Sequence, residues 1–378
     1  MYLIRDTISY IMMNIFKVLP LKDKAVFISF FGQSYSDNPK VMYEEMKKKY
    51  PQIEYVWIMK DPDSVKIDGA KVVKAKSLKA AYHYATSKLW ISNSRLRGKM
   101  AKRKKQFYVQ TWHGVACLKK VEKEAENKLS KSYIKDAKRD SKMANLFLSG
   151  SKFRTENYRK AFWYDGEILE FGLPKEDVFY GDKTEVKRKV REHFGISNDC
   201  KIVLYVPTFR VNKTTDCYDL DYQGLLNTLK NKWYNEWKIL VRLHPNVSYK
   251  QNEIKYNEDI INATNYNFTN DLIAASDIVI TDYSGCMFSA LESNIISMIY
   301  ASDYDEYMKD RGTYFDLKNM PCPLSESNKE LQKRIEEFDE MEYFEKANAL
   351  KQEVGFFENP HSTEQVVANI MNRINWGK

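Results

Sequence analysis

The 378-residue chain is 43% hydrophobic and 14% aromatic, which excludes a disordered polypeptide and suits a packed α/β protein long enough for two domains. Lysine and arginine outnumber aspartate and glutamate, 60 to 51, so a formal charge of +9 favours anionic partners. The five cysteines are odd in number and never spaced C-x-x-C, which argues against a disulfide framework or zinc site and for a reducing compartment.

At the start of the chain, Ile4, Ile8, Ile11, Ile15 and Leu19 recur at helical spacing, interrupted by Arg5, Asp6, Asn14 and Lys17. A spanning helix needs about 20 mostly apolar residues, and the pattern of a cleaved signal is missing as well. Residues 1–21 are therefore expected to form an amphipathic helix, lying on a membrane or packed on the protein's own first domain. Nothing in this segment suggests export.

Apolar runs at 25–31, 55–59, 71–73, 89–92, 107–111, 145–149 and 167–171 then read as buried strands, alternating with helical patterns at 39–49, 77–86 and 131–142. Gly172-Leu173-Pro174 breaks the alternation before a helix at 183–193, which sets a boundary near 175 between domains 22–175 and 176–378. The second half repeats the logic, with strands at 201–206, 238–243, 277–281 and 295–300 and helices at 222–232 and 272–276. A capping-box pattern, Ser362-Thr363-Glu364-Gln365, opens an amphipathic helix that ends the second domain. The expected fold is α/β, with two Rossmann-like, mainly parallel sheets facing each other across a cleft.

Polar chemistry collects after four of these strands, where open parallel sheets bind their ligands. His113, followed by Gly114 at a sharp turn, is placed to take a proton from an attacking hydroxyl. Pro207-Thr208-Phe209-Arg210 ends a strand with a hydroxyl and a cation. Arg242 and His244 stand at i and i+2, so they point to one side, one suited to gripping a phosphate and the other to stabilising a departing oxygen. The turn Thr281-Asp282-Tyr283-Ser284-Gly285 leads into a helix whose amide donors suit a phosphate. The competing readings are a serine that only caps a helix, histidines bonded to loop carbonyls, and a turn that happens to be polar. Arg311, in the cluster Arg311-Gly312-Thr313-Tyr314-Phe315-Asp316, is able to close over a diphosphate.

From Arg95 to Lys105 seven basic residues, including Arg97, Lys102, Arg103 and Lys104, occur without an acid. This run is either a solvated loop or a landing patch for an anionic membrane or a polyphosphate acceptor. No Walker A, G-x-G-x-x-G or H-E-x-x-H pattern occurs, and Asp303 with Asp305 reads as a pair of surface acids, so no protein-held metal is expected.

In order, T-W-H-G, Y-x-P-T-F-R, R-x-H-P, T-D-Y-S and R-G-x-Y-x-D resemble the CDP-glycerol glycerophosphotransferase family of teichoic-acid and capsule enzymes, from about Ala25 to the tail. The resemblance implies a GT-B architecture at the cytoplasmic membrane face. It also implies transfer of glycerol phosphate, or ribitol phosphate, from CDP-glycerol or CDP-ribitol to a hydroxyl of a lipid-linked glycan or polyol-phosphate acceptor, with release of CMP. No bound cofactor is implied, although free Mg²⁺ is compatible. By position it makes His113 the base and assigns Thr208, Arg210, Arg242, His244, Asp282, Ser284, Gly285 and Arg311 to the donor side. The chain departs from the family pattern at Gly285 and Ser289, where a serine and an aspartate are usual, and at Lys175-Glu176-Asp177 in the G-x-P-R-N-D signature. Its length suits a primase adding few units to a lipid-linked disaccharide. A GT-B enzyme using a nucleotide sugar is the second reading. A nucleic-acid-binding protein is the third, disfavoured because no nucleic-acid fold signature appears.

Overall fold

The computed structural model describes residues 2–114, 116–208, 210, 219–243, 253–310 and 312–377. His244 and Arg311 lie outside the described residues. The chain divides into two compact units, one of Met1–Gly114, Val121–Asp177 and Phe357–Lys378, the other of Val115–Lys120 and Val178–Phe356.

Unit 1 contains α1 (Tyr2–Phe16), β1 (Lys22–Ile28), α2 (Asp37–Lys49), β2 (Glu54–Met59), β3 (Lys71–Lys74), α3 (Leu78–Thr86), β4 (Ser87–Ser92), β5 (Phe107–Gln110), α4 (Lys131–Met143), β6 (Leu146–Leu148), α5 (Lys152–Ala161) and β7 (Glu167–Leu169). Its seven strands run parallel in the order β3-β2-β1-β4-β5-β6-β7. This is a doubly wound sheet whose switch point lies between β1 and β4. The continuous apolar runs are the reason: every residue of β4 is buried, as a strand covered by helices on both faces must be.

The short α6 (Asp177–Tyr180) enters unit 2 after its first residue, and unit 2 continues through α7 (Thr184–Phe194), β8 (Lys201–Tyr205), α8 (Tyr222–Trp233), β9 (Trp237–Val241), β10 (Ile260–Asn262), α9 (Thr269–Ala275), β11 (Ile278–Thr281), α10 (Cys286–Glu292), β12 (Ile296–Tyr300), α11 (Tyr304–Asp310), β13 (Leu324–Ser325), α12 (Asn328–Glu336) and α13 (Glu340–Val354). Its order, β10-β9-β8-β11-β12-β13, is again parallel throughout and again switches beside its first strand, between β8 and β11. β10 and β13 were not expected; edge strands of three and two residues are too short for an apolar run to register.

The tail corrects the expected boundary. Its helix, α14 (Ser362–Asn372), belongs to unit 1 rather than to the second domain and packs against α2. The capping box is not formed either. Ser362 donates its hydroxyl to Asp177, and the other Asp177 oxygen accepts the Thr363 amide at 3.0 Å, so a carboxylate from a distant turn satisfies the helix's first donors.

α1 packs one face on α3. Met13 is fully buried and Phe16 meets Tyr82 edge to face at 5.6 Å, while Ile8, Ile11, Ile15 and Val18 are 48%, 50%, 51% and 85% exposed. None of the described helices is long and apolar enough to cross a membrane.

The 95–105 run is not a uniform cationic patch, and Arg95 is the clearest correction. It is 2% exposed, with Nη1 donating to Asp140 at 3.2 Å and to Ser141 at 2.7 Å, and Nη2 donating to Glu122 at 3.0 Å. Arg103 is committed as well, its Nη2 donating to the Phe16 and Leu19 carbonyls at 3.1 and 2.8 Å, where it closes the end of α1. Lys102 is half-buried, Arg97 lies over the Phe31 ring at 3.9 Å, and Lys104 and Lys105 are exposed.

Replacing Arg95 would leave Glu122 and Asp140 buried without their counter-charge, which typically costs about 3–5 kcal/mol. Arg95→Met is therefore expected to lose stability on that scale in urea titrations. A loss below about 1 kcal/mol, the size seen for exposed pairs, would show the guanidinium to be peripheral.

Candidate active site

In unit 1 the paired ends of β4 and β5, with Ser92 opposite Gln110, bring the turn after β5 beside Asn93 at the switch point. The His113 ring meets the Asn93 carbonyl through Nδ1 at 2.8 Å. A carbonyl can only accept, so Nδ1 carries the proton and Nε2 of the neutral ring keeps its lone pair. Trp112 stacks on the ring at 4.5 Å, yet His113 remains an exposed residue. Protein packed around the imidazole lowers its pKa from the usual 6.5, Lys175 and Arg154 add to this, and the Asn93 carbonyl and the Asp37 charge oppose it. The outcome is a neutral base at neutral pH.

The turn itself is held by three successive carbonyls. Trp112 O accepts from Asn38 Nδ2 at 3.2 Å, His113 O from Lys175 Nζ at 3.0 Å and Gly114 O from Arg154 Nε at 2.9 Å. Trp112 has φ of 51°, a left-handed conformation that a bulky residue adopts only where its surroundings enforce it. Lys175 also donates to Asp37 at 3.1 Å, and its amide donates to Asn38 Oδ1 at 3.1 Å. Beside this clamp Glu176 is 2% exposed, and neither of its carboxylate oxygens has a hydrogen-bond partner. Burial pushes its pKa up to about 8, Lys175 opposes this, and Asp37 and Asp177 reinforce it.

In unit 2 the corresponding strand ends are tied together by Asp282. Its carboxylate accepts the Thr208 amide at 2.9 and 3.0 Å, the Thr208 hydroxyl at 3.0 Å and Arg210 Nη2 at 2.8 Å. Arg210 reaches Asp303 through Nε at 2.9 Å and Nη2 at 3.1 Å, and its guanidinium lies 4.8 Å from the Tyr283 ring. The three residues expected to contact the donor therefore bond to one another. They brace β8 against β11.

Arg242 is likewise bonded within the protein. Its Nε donates to Thr269 at 3.0 Å and its Nη1 to the carbonyls of Ala263, Thr264 and Tyr266, so those two nitrogens hold the loop after β10. Ser284 Oγ accepts the Cys286 amide at 3.2 Å from one position before Gly285, the N-cap of α10, which has no side-chain cap. Gly285 leaves the turn open on its side-chain face, where the Ala116 carbonyl, 3.6 Å from an ideal Cβ, is the nearest neighbour. Ala116 belongs to the 115–120 segment, which pairs with the Gly312 region: Lys120 N donates to Gly312 O at 2.9 Å and Tyr314 N to Leu118 O at 2.7 Å.

Sequence reasoning missed Asn93, Asn38, Asp37 and Arg154, and placed Asp303 on the surface. The only signal for Asn93 was its place just after an apolar run; strand order, which makes that run a switch-point strand, is not written in any local pattern. Among the described residues no group of three or more His, Cys, Asp or Glu could hold a metal ion.

Residues 10–372 match the model of the family described as CDP-Glycerol:Poly(glycerophosphate) glycerophosphotransferase. A teichoic acid poly(glycerol phosphate) polymerase of Staphylococcus epidermidis is 32% identical over 341 residues, covering 86% of this chain but only 47% of that protein. One of Bacillus spizizenii is 28% identical over 376 residues, covering 96% of this chain and 95% of that protein. The wall teichoic acid polymerase TagF superposes with a TM-score of 0.85 at 29% identity, over 96% of this chain and 93% of that one, and a further TagF structure carries CDPG. Relatives named for ribitol phosphate also match.

The Glu176 environment predicts how stability varies with pH. An unfolded glutamate loses its proton near 4.5, whereas the folded chain keeps it up to about 8. The native state therefore binds the extra proton in that interval and loses stability as pH rises through it. Glu176→Gln is expected to be more stable than the parent by a margin that widens from pH 5 to pH 8 in urea titrations. A margin that stays constant, or shrinks, would remove Glu176 from the set of strained buried acids.

Proposed function

Because the chain belongs to the CDP-Glycerol:Poly(glycerophosphate) glycerophosphotransferase family, we propose that it transfers glycerol phosphate from CDP-glycerol to a hydroxyl of a lipid-linked glycan or growing polyol-phosphate chain in teichoic-acid or capsule assembly. The observation that carries the reading is the His113–Asn93 hydrogen bond, which leaves Nε2 free to act as a base. Nε2 takes the proton of the acceptor hydroxyl as its oxygen bonds to the phosphorus bearing glycerol. The bond from that phosphorus to the bridging oxygen breaks, and CMP leaves with the electron pair. The family pattern puts His244 on the donor diphosphate, where an imidazole is suited to stabilise the departing oxygen, and the open turn at Ser284 and Gly285 suits the same diphosphate. Thr208, Arg210, Asp282 and Arg242 support that side by holding its loops in place.

Chromatographic assay of CMP, with a lipid-linked disaccharide acceptor and either CDP-glycerol or CDP-ribitol, tests the reading. Acceptor-dependent CMP is expected from CDP-glycerol, falling by about 10²- to 10⁴-fold in His113→Ala. Since the His113 pKa lies below 6.5, the acid limb of kcat/KM should also fall below that pH. CMP formed equally by His113→Ala would remove the base, and CMP from CDP-ribitol alone would change the alditol.

Peripheral attachment to an anionic membrane is part of the same proposal. The exposed stripe Ile8, Ile11, Ile15 and Val18 adjoins the basic run, since Arg103 closes α1 and Lys99 lies 5.7 Å from the Tyr10 ring. Burying each aliphatic side chain in lipid contributes about 1.5–3 kcal/mol. Ile8→Gln/Ile11→Gln/Ile15→Gln should therefore leave phosphatidylglycerol vesicles for the supernatant in sedimentation while keeping the parental melting curve. Unchanged sedimentation would detach the stripe from membrane binding.

A further inference from the structure

Unit 2 has a cavity of about 300 Å³ at the amino ends of its strands, lined by Lys201, Trp237, Ile278 and Ile296, the first residues of β8, β9, β11 and β12. It is at the opposite end of the sheet from Thr208, Arg242 and Asp282, so the transfer chemistry does not account for it.

Lys183, Lys187, Trp233 and Trp237 also line it. Lys183 donates to the carbonyl and hydroxyl of Ser293 at 2.7 and 2.8 Å, two neutral acceptors. The charges acting on it are those of Lys187 and Lys351, and burial together with these two cations lowers its pKa to about 8. Lys351 reaches the same turn, donating to Asn294 Oδ1 at 2.8 Å. The two acids of the lining are committed elsewhere: Asp277 accepts Lys201 and the Ile202 amide, each at 2.9 Å, and Glu340 accepts the Trp233 indole at 2.6 Å. Trp237 is 3% exposed, whereas Trp233 is half-buried and presents part of its ring to the cavity. Gathering like charges at a half-buried site is unfavourable unless an anion joins them.

We infer that this cavity is a second binding site, for a phosphorylated polyol: the lysines receive a phosphate and the half-buried Trp233 ring covers polyol carbons. The identity of the polyol as glycerol phosphate, free or in a chain, rests on the function proposed above; the anion site does not. A chain held here and at the carboxyl ends of the strands would be retained between additions by effective concentration.

The test is calorimetry and tryptophan fluorescence without CDP-glycerol, using poly(glycerol phosphate), sn-glycerol 3-phosphate, inorganic phosphate and glycerol as separate probes. Lys187 is exposed on α7, so Lys187→Glu keeps the fold. Saturable binding of the polymer is expected, weakened about tenfold or more in Lys187→Glu, which corresponds to about 1.4 kcal/mol. Proton uptake on binding at pH 8 is expected as Lys183 recharges, and Trp233→Leu should weaken the polymer but not inorganic phosphate. Tighter binding of the polymer than of sn-glycerol 3-phosphate supports a chain, and the reverse supports the free ester. Equal polymer affinity in parent and Lys187→Glu overturns the site, and so does inorganic phosphate binding as tightly as either polyol ester. CMP release measured alongside separates the two readings. A parent that makes no CMP but loses polymer affinity in Lys187→Glu keeps the site without the reaction; normal CMP with equal affinities keeps the reaction without the site.

Discussion

Aligned strand ends at a switch point are the constraint from which the chemistry of unit 1 follows. In a parallel sheet neighbouring strands finish on the same edge, so the turn after β5 emerges beside the turn after β4. The Thr111 amide donates to Ser92 O at 2.8 Å, and two residues further on the His113 ring meets the carbonyl of Asn93. Crossover helices leave in opposite directions on either side of β1, so no helix covers these ends. A polar ring can stand there with one nitrogen satisfied and the other open. In unit 2 the same place between β8 and β11 is occupied by Asp282, whose carboxylate accepts the amide and hydroxyl that end β8.

Several cations of this chain brace the protein. Arg95 ties Asp140 of α4 to Glu122, Arg210 ties Asp282 to Asp303, and Arg242 holds the carbonyls of the loop after β10. Burying a guanidinium is favourable only when its geometry and hydrogen bonds are nearly complete, and the planar fork of arginine supplies several directed donors to a loop at once. A residue type that suggests phosphate recognition in a sequence is, at Arg210 and Arg242, what gives the loops beside the strand ends a fixed shape. Arg210, flanked by Asp282 and Asp303, offers little net positive charge to a diphosphate.

The central strands were legible because parallel strands covered on both faces are written as unbroken apolar runs. His113 was legible because it follows one of these runs before a glycine. What stayed hidden depends on partners far away in the chain. Arg95 begins a run of seven basic residues and resembles its neighbours, but its acids lie 27 and 45 residues further on. The helix of the tail could be read from its period, but not its place on α2, more than 300 residues earlier. Glu176 stood out only as a departure from a family pattern. That it is a buried carboxyl without hydrogen bonds is a property of the packing around it.

The course of the chain explains why three carbonyls in a row are clamped. It leaves unit 1 after Gly114, contributes 115–120 to unit 2 and returns at Val121, so the residue after the clamped turn already belongs to the other unit. Within unit 2 the segment is fixed by its antiparallel pairing of Lys119 with Thr313. The His113 turn, which ends on Gly114, the last residue of unit 1 before the crossing, could be left without anchors. Asn38, Lys175 and Arg154 instead hold the carbonyls of Trp112, His113 and Gly114 from three separate elements of unit 1. Together they also stabilise the left-handed Trp112, whose strain no single hydrogen bond of about 1 kcal/mol would comfortably offset. The clamp separates the base from the crossing, so the His113–Asn93 hydrogen bond, and with it the tautomer that leaves Nε2 unprotonated, belongs to unit 1 alone.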